Sequence, residues 1–242
     1  LLQLFDNAGL KRQLAYSLVE ALIFLHNPPP GTTLNLLAAG EHPAQQRLAA
    51  EELVAHNLSL LRLRQKIQQQ GAPVLKEDKT AKSAFLKQLD FQLTDAQTRV
   101  ASEINKDIDS AVPMLRLVQG DVGSGKTVVA AMAALQAIAN GKQAALMAPT
   151  EILADQHRQN FEYWFKPLGI EVTWLTGKIK GKARVLKLSA IADGTAQMVI
   201  GTHALFQETV EFNDLGLSII DEQHRFGVHQ RLALRQKGFV PT

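Results

Sequence analysis

Apolar residues in the first ninety positions recur at helical spacing. Positions 14, 18, 22 and 25 are all leucine, which predicts a helix over residues 10–26 that the prolines at 28–30 bring to an end. A second apolar stripe begins after Pro43, a residue favoured in a first helical turn, and predicts a long helix to about residue 70. Such a helix spans about 40 Å, enough either to pack on a small domain of its own or to connect separate lobes. Residues 1–90 are therefore predicted to form a mainly helical segment.

The pattern changes at Phe91 to short apolar runs that alternate with helical stretches. Five runs are predicted strands: 115–119, 144–148, 172–175, 198–201 and 217–220. Helices are predicted over residues 126–140 and 151–165. Because apolar and polar residues do not alternate within the runs, we expect both faces of the sheet to be covered, which is typical of parallel sheets. The prediction for residues 91–242 is an α/β domain with a doubly wound parallel sheet of at least five strands.

Composition excludes several classes of protein. The 242 residues are 46% hydrophobic and 20% charged, which is ordinary for a globular protein and unlike a disordered chain or a coiled coil. No apolar run reaches the ~18 residues of a membrane span, so no membrane partner is expected. The absence of cysteine excludes disulfides, zinc ribbons and thiol catalysis, and it fits a reducing compartment such as the cytoplasm. A net charge of +3 slightly favours an anionic partner.

A glycine-rich sequence between the first predicted strand and the next helix matches G-x-x-x-x-G-K-[ST] at every fixed position. Its residues are Gly120, Asp121, Val122, Gly123, Ser124, Gly125, Lys126 and Thr127. Glycines let backbone N–H groups approach phosphate oxygens, and the start of the helix adds its positive end. Lys126 is expected to reach the β- and γ-phosphates, and the Thr127 hydroxyl to bind Mg²⁺. The alternative is an ordinary strand-to-helix turn, which rarely matches all the fixed positions by chance.

Two adjacent carboxylates follow the last predicted strand. A P-loop needs an acid that holds Mg²⁺ through its water shell, and Asp221 is the candidate at the strand end. Glu222, one residue later and on the opposite face, is the candidate for polarising the attacking water. Taken alone, such a pair is more often a solvated strand end or a helix cap. Beside a P-loop, the nucleotide-site interpretation is favoured.

Asp221, Glu222, Gln223 and His224 together resemble motif II of superfamily 2 helicases. With the P-loop, the run 221–231 resembles the RecG family of bacterial ATP-dependent DNA helicases, whereas the related transcription-repair coupling translocases carry Glu in place of Gln223. Further runs resemble that family at 41–47, 91–97 (the glutamine motif that binds adenine), 148–157 (motif Ia), 175–177 (motif Ib) and 200–203 (the next DNA-contacting motif). The resemblance covers most of the chain.

The resemblance implies a RecA-like P-loop lobe over residues 91–242 that uses ATP and Mg²⁺, preceded over 1–90 by the end of a wedge region with its connecting helices. The implied catalytic residues are Lys126, Asp221, Glu222, Gln223 and His224, the last of which links the nucleotide site to bound DNA. Beyond the P-loop, Gln97 and Phe91 are implied in nucleotide binding, and Thr127 and Asp221 in Mg²⁺ binding. The expected DNA-binding residues are Pro149, Thr150, Thr176, Gly177, Lys178, Lys180, Lys182, Thr202 and His203.

The implied partners are branched DNA (forks and Holliday junctions, in recombination and repair) and a wedge domain and second RecA-like lobe of the same full-length chain. A monomer in the bacterial cytoplasm is expected. Because the chain stops before any Ser/Thr-Ala-Thr motif and lacks the second lobe with its arginine finger, we expect a fragment that is weakly active or inactive alone.

Two other functions compete with a helicase lobe. The first is a P-loop enzyme of another class, such as a GTPase or a small-molecule kinase. A GTPase needs Asn-Lys-x-Asp after the P-loop, whereas the only near match, at 105–107, precedes it. The second is a DNA-binding scaffold without turnover, against which intact Lys126, Asp221 and Glu222 argue.

Simpler interpretations exist for some of the implied residues. Thr94 to Gln97 fits a helix capping box as well as it fits adenine binding, and Thr150 also fits a helix start. His224 and His229 lack the spacing and the third ligand of a zinc site. A solvated helix face competes with phosphate binding for the basic residues within 178–187 and for those after Glu222. The basic residues of the first group are Lys178, Lys180, Lys182, Arg184 and Lys187.

Overall fold

The computed structural model describes residues 15–32, 34–69, 71–121 and 123–222. The chain divides into two compact units, Leu1–Gln69 and Gln70–Thr242. Within the described ranges, no helix is both long enough and apolar enough to cross a membrane.

The first unit is helical in its described part. Its helices are α1 (Leu18–His26), α2 (Leu34–Ala38) and α3 (Pro43–Gln68), and α1 packs against α3. The side chain of Phe24 stacks on that of His42, with ring centroids 4.4 Å apart. The predicted long helix is confirmed as α3. The helix predicted from residue 10 instead begins at Leu18 within the described residues, because Ser17 and Glu20 form a capping box there.

Four parallel strands form the sheet of the second unit in its described residues: β1 (Gln143–Met147), β2 (Val172–Leu175), β3 (Met198–Gly201) and β4 (Leu215–Ile220). Their spatial order is β2-β3-β1-β4, so that Leu146 of β1 lies between Ile200 of β3 and Ile219 of β4. Every residue of β1 and β3 is buried, which requires cover on both faces. The predicted parallel sheet and four of its five predicted strands are confirmed.

Hydrophobic cores lie on both faces of the sheet, because successive residues of a strand point to opposite sides. On one face, Met198 and Ile200 of β3 belong to a large core. Four helices build that core: α4 (Lys79–Lys87), α5 (Asp95–Ile108), α6 (Lys126–Ala139) and α7 (Glu151–Phe165). On the other face, Val199 packs in a smaller core that includes Ile191 of α8 (Gly181–Ala192). Helices predicted over 126–140 and 151–165 are confirmed as α6 and α7.

The side-chain amides of Gln136 on α6 and of Asn140, which follows α6, fix the segment that precedes α4. Gln136 donates a hydrogen bond to the carbonyl oxygen of Leu75 at 2.5 Å. Asn140 donates to the carbonyl oxygen of Lys76 at 2.7 Å and accepts from its N–H at 3.1 Å. The chain around residue 75 is therefore held against the helix that follows the P-loop.

Helix α4 belongs to the large core rather than to the helical unit before it. Its Phe85 is fully buried and meets Trp164 and Phe165 of α7 edge to face, with ring centroids 6.1 and 6.0 Å apart. The domain boundary predicted near residue 90 thus falls inside the second compact unit, which begins at residue 70.

The first predicted strand is wrong, since residues 115–119 contain no strand. Leu115 and Leu117 are 63% and 67% exposed. A short apolar run becomes a strand only when a neighbouring strand edge binds its backbone, and in the described residues β4 pairs with β1 alone. The segment instead forms one wall of a groove whose other wall is β4, and it leads into the P-loop.

Candidate nucleotide and nucleic-acid site

The carboxyl ends of all four strands meet at one edge of the sheet, and predicted motif residues follow them there. Thr150 follows β1 after two residues, Thr176 follows β2, Thr202 follows β3 and Asp221 follows β4. The strand order arranges them in a row in which Asp221 stands at one end, beside the segment that carries Thr150. In open α/β sheets, ligands bind in the crevice outside these ends.

Close backbone contacts hold this edge together. The N–H of Asp221 donates to the carbonyl oxygen of Met147 at 2.9 Å, which fixes the start of the acidic pair against β1. Gly201, the last residue of β3, must be glycine, because a Cβ there would lie 2.2 Å from the carbonyl oxygen of Leu175 on the neighbouring strand. The residues after each strand therefore start from fixed positions.

In the P-loop, the chain turns tightly before α6. Gly123 and Gly125 have φ angles of 82° and 78°, a left-handed conformation that other residues adopt at a cost. The Lys126 ammonium donates to the carbonyl oxygens of Gly120 and Asp121 at 2.7 and 2.8 Å. The loop thus already holds a cationic side chain over the position that phosphates take in P-loops. Val122 lies outside the described residues.

Gln97 connects the P-loop to the start of α5. Its amide oxygen accepts from the N–H of Thr94 at 2.9 Å, and the Thr94 hydroxyl accepts from the N–H of Gln97 at 3.2 Å. Its amide nitrogen donates to the carbonyl oxygen of Ser124 at 3.0 Å. A Cβ at Gly125 would lie 2.2 Å from that nitrogen, so the contact requires glycine. The predicted capping box is confirmed, and the same side chain also contacts the P-loop.

Asp221 is half-buried and interacts with two side chains, His157 and Lys126. Its Oδ2 lies 2.8 Å from the Nε2 of His157 on α7. This hydrogen bond holds the pKa of the Asp221 carboxyl below its usual value, and the Lys126 ammonium acts in the same direction, although partial burial opposes both. The carboxylate is therefore ionised at neutral pH and lies within electrostatic reach of the P-loop lysine.

Glu222 leaves the line of β4. Its φ of 50° is the one left-handed angle of a non-glycine residue within the described ranges. Such angles cost about 1 kcal/mol or more and cluster at functional sites. Gln223 and His224, the other two implied members of motif II, lie outside the described residues.

His157 was not among the predicted site residues. Its side chain is only 12% exposed and contacts Asp221. The signal for it was present in the sequence: His157 lies three residues after Ala154 and four before Phe161, which puts it on the buried stripe of α7. A histidine on such a stripe needs a polar partner, but spacing within one helix does not reveal which distant residue supplies it.

The predicted DNA-binding residues fall into exposed and buried groups. Thr176 and Thr202 are 1% and 3% exposed, so their side chains line the interior rather than the surface. The Thr176 hydroxyl has no hydrogen-bond partner within the described residues. Thr150 is exposed and caps α7 by accepting from the N–H of Leu153 at 3.3 Å, which confirms the helix-start interpretation. Pro149 is half-buried, and Gly177 and His203 are exposed.

The five basic residues within 178–187 do not act as one surface. Lys178 forms an ion pair with Glu151 at 2.5 Å, and Arg184 donates to the side chain of Gln207 at 2.9 Å. Burial and the charge of Arg158 lower the pKa of Lys187. This half-buried lysine is therefore not part of a fully solvated basic face. Lys180 and Lys182 are exposed at the start of α8, where the N–H groups of the first turn have no side-chain cap.

The donor set fits a nucleotide with Mg²⁺. Thr127 and Asp221 both line the groove beside the P-loop and offer a hydroxyl and a carboxylate, the oxygen ligands that Mg²⁺ prefers. A Cβ at Gly120 would lie 2.8 Å from the Ser124 hydroxyl, so glycine there lets the two ends of the loop approach closely. The arrangement can hold a phosphate chain between a lysine and a metal-binding carboxylate.

Known proteins resemble this chain closely. The sequence pattern of the DEAD/DEAH box helicases matches residues 94–237. The chain is 63% identical over 223 residues to the ATP-dependent DNA helicase RecG of Haemophilus influenzae, a match that covers 92% of this chain and 32% of that protein. Identity to the same helicase of Escherichia coli K12 is 62% over 222 residues, with the same shares covered. The chain thus spans about a third of the length of the curated relatives it matches.

Solved structures agree with these sequence matches. A structure of RecG bound to a three-way DNA junction superposes with a TM-score of 0.71 at 42% identity, over 86% of this chain and 28% of that one. A hypothetical ATP-dependent RNA helicase from Sulfolobus tokodaii shares the fold, with a TM-score of 0.51 at 16% identity, over 66% of this chain and 47% of that one. The predicted resemblance to the RecG family is confirmed.

Proposed function

Because this chain belongs to the DEAD/DEAH box helicase family, we propose that it is the ATP-binding motor lobe of a DNA-dependent ATPase that remodels branched DNA. One observation carries the proposal. Lys126 of the P-loop and Asp221 at the end of β4 line the same groove and interact electrostatically. A phosphate-binding cation and a metal-binding carboxylate that line one groove are what nucleoside triphosphate hydrolysis requires.

Each residue of the groove has a separate role in this proposal. Backbone N–H groups of the P-loop and the Lys126 ammonium bind the phosphate oxygens, and Thr127 and Asp221 hold Mg²⁺. When bound, Mg²⁺ neutralises the charge that develops on the phosphates. Glu222 accepts the proton of the attacking water, while Gln223 and His224 complete the acidic motif next to it. Loss of Lys126 should nearly abolish nucleotide binding, loss of Asp221 should weaken its Mg²⁺-dependent part, and loss of Glu222 should remove hydrolysis.

The hydrogen-bonding groups of the Gln97 amide that are not used within the described part of the chain favour adenine over guanine. Its two bonds to Thr94 and Ser124 leave one N–H donor and one oxygen lone pair without a partner among the described residues. Adenine offers the complementary pair, the N7 acceptor and the N6 donor, whereas guanine offers two acceptors, N7 and O6. Phe91, which is 48% exposed, supplies an aromatic face for the base to stack on. We assign ATP rather than GTP on this ground.

DNA phosphates are proposed to bind along the ends of β1, β2 and β3. Exposed groups follow each of these strands: Thr150 after β1, Gly177 with Lys178 after β2, and His203 after β3. Lys180 and Lys182 add charge beside the uncapped start of α8, whose N–H groups suit a phosphate. Since Thr176 and Thr202 are buried, their part is to shape the backbone and to position the exposed residues next to them.

The activity of the whole protein is proposed from its relatives. Relatives are ATP-dependent DNA helicases, and RecG has been solved on a three-way DNA junction, which supports branched, fork-like DNA as the substrate. Holliday junctions are proposed as a second substrate from the family resemblance alone. Residues 1–90 are assigned to the end of a wedge region and its connecting helices, of which α4 packs in the core of the second unit. A second RecA-like lobe of the full-length chain is proposed to supply the arginine finger. A monomer in the bacterial cytoplasm, acting in recombination and repair, completes the proposal.

Turnover of ATP and GTP by this chain, with and without forked DNA, tests the assignment. We expect weak ATP binding and slow hydrolysis, because an arginine supplied by the opposite lobe contributes ~10³-fold or more. Lys126→Ala should nearly abolish ATP binding, and Lys106→Ala, an exposed lysine on α5, is the matched control. Unchanged affinity in Lys126→Ala contradicts the P-loop assignment. Tighter binding of GTP than of ATP contradicts the role of Gln97.

A further inference from the structure

His157 on helix α7 contacts Asp221, the carboxylate that is proposed to hold the metal. His157 Nε2 lies 2.8 Å from Asp221 Oδ2, and the side chains are 12% and 27% exposed. The other ring nitrogen, Nδ1, is buried and has no hydrogen-bond partner within the described residues. The bond to Asp221 is therefore the polar contact that accounts for a histidine at this buried position.

The chemistry of the two side chains determines which one donates the hydrogen bond. An ionised carboxylate only accepts hydrogen bonds, so Nε2 carries the hydrogen and donates it to Oδ2. The ring itself is held by α7, whose residues on the same face, Ala154 and Phe161, are fully buried. A packed helix thus fixes the donor, and the donor fixes one of the two oxygens of the carboxylate.

We propose that His157 is a positioning residue for Mg²⁺: it holds the Asp221 carboxylate in the rotamer that receives the hydrated metal. The inference rests on the proposed function, because it assumes that Asp221 holds the metal. Without this bond, the carboxylate turns about its χ angles and takes up the metal only after losing that freedom. Hydrogen bonds of this kind to metal-binding carboxylates typically account for about 10–100-fold in metal affinity.

Two variants separate the packing contribution of the His157 ring from the contribution of its N–H donor. His157→Phe keeps an aromatic ring and removes the donor, whereas His157→Gln restores an amide N–H at a similar distance from the backbone. A fluorescent ATP analogue is titrated with MgCl₂, and its affinity is also measured in EDTA. We expect the half-saturating Mg²⁺ concentration to rise about 10–100-fold in His157→Phe, with the affinity in EDTA unchanged, and to return close to the parental value in His157→Gln.

Two controls keep the result interpretable. His56→Phe changes an exposed histidine of α3 in the first unit and should leave the Mg²⁺ dependence unchanged. If His157→Phe does not fold, as judged by thermal unfolding, His157→Asn replaces it, because its shorter amide does not reach Oδ2 and it should show the same loss. A folded variant without the donor but with parental Mg²⁺ dependence overturns the inference. If the parental chain binds no nucleotide at any Mg²⁺ concentration, the proposed function fails and the inference with it.

Discussion

Gln143, at the start of β1, is the buried polar residue whose loss should destabilise the sheet most. Its side chain is 3% exposed and makes four hydrogen bonds to backbone groups. The amide nitrogen donates to the carbonyl oxygens of Ile191 and Ala196 at 2.9 and 2.8 Å. The amide oxygen accepts from the N–H groups of Asn213 and Asp214 at 2.8 and 3.2 Å. One side chain thus connects the end of α8 to the segment that begins β4.

The expected cost of Gln143→Met follows from what each backbone group retains. The carbonyl oxygen of Ile191 keeps a second donor, the N–H of Gly194 at 3.3 Å, whereas that of Ala196 is left buried without the amide. An unsatisfied buried group costs about 1–3 kcal/mol. The N–H groups of Asn213 and Asp214 are partly buried and cost less, because water reaches them. The total should be about 2–4 kcal/mol, or a fall of about 5–15 °C in Tm.

Urea unfolding followed by tryptophan fluorescence measures this loss. The chain has 2 tryptophans, Trp164 on α7 and Trp174 on β2, and both lie in the second unit, so the signal reports that unit. Gln197→Met is the matched control, since Gln197 accepts one solvent-exposed bond from the N–H of Glu171 at 3.3 Å and should cost under about 1 kcal/mol. If Gln143→Met destabilises no more than Gln197→Met, at an unchanged m-value, then these four hydrogen bonds do not stabilise the sheet.

The acidic pair, the start of α8 and an ion pair on α4 each give a further expectation. Asp221→Asn should weaken Mg²⁺-dependent nucleotide binding. Glu222→Gln should retain binding but hydrolyse ATP about 10²-fold more slowly, measured in a chain that carries both lobes. Hydrolysis by Glu222→Gln at the parental rate contradicts the role of Glu222 as a base. Replacing Lys180 and Lys182 by alanine should flatten the dependence of DNA affinity on salt, and an identical slope would mark them as solvated residues. The hydrogen bond from Lys82 holds the pKa of Glu77 below its usual 4.5, so its stabilising effect is present at neutral pH and is lost as the pH falls through the lowered pKa. Because the pair is about one-third exposed, Glu77→Gln should reduce the acid sensitivity of urea unfolding by a measurable amount of up to about 1 kcal/mol. Equal sensitivity of the two proteins as the pH falls below 4.5 would contradict this.

Features that depend on residues close together in the sequence were predictable. The P-loop and the helix after it depend on glycines and a lysine within eight residues, and both are found where the pattern puts them. The strands β1 to β4 are short apolar runs, a pattern visible without knowledge of their neighbours, and β1 and β3 are buried along their whole length. The capping box at Thr94 was likewise visible, because both partners lie within one turn.

Features that depend on distant partners were not predictable. The run 115–119 has strand composition, but whether it becomes a strand depends on a pairing partner elsewhere in the chain. Phe85 places α4 in the second unit through contacts with α7, about eighty residues later. The contact of His157 with Asp221 spans 64 residues, and the second bond of Gln97 spans 27. Local pattern gives the helix face of such a residue but not the group that meets it.

The order of strands also determines how the protein is completed during its synthesis. β1 is central in the sheet but early in the chain, and the strand that covers its second edge, β4, begins only at Leu215. At ~5–20 residues per second, the ribosome leaves this edge of β1 open for several seconds, with backbone groups free to pair with another chain. Chains released at Asn213 should therefore aggregate more than chains that continue through Ile220, in which β4 covers this side of β1. The strand that ends at Asp221, the proposed metal-binding carboxylate, is also the one that covers β1 in the nascent sheet.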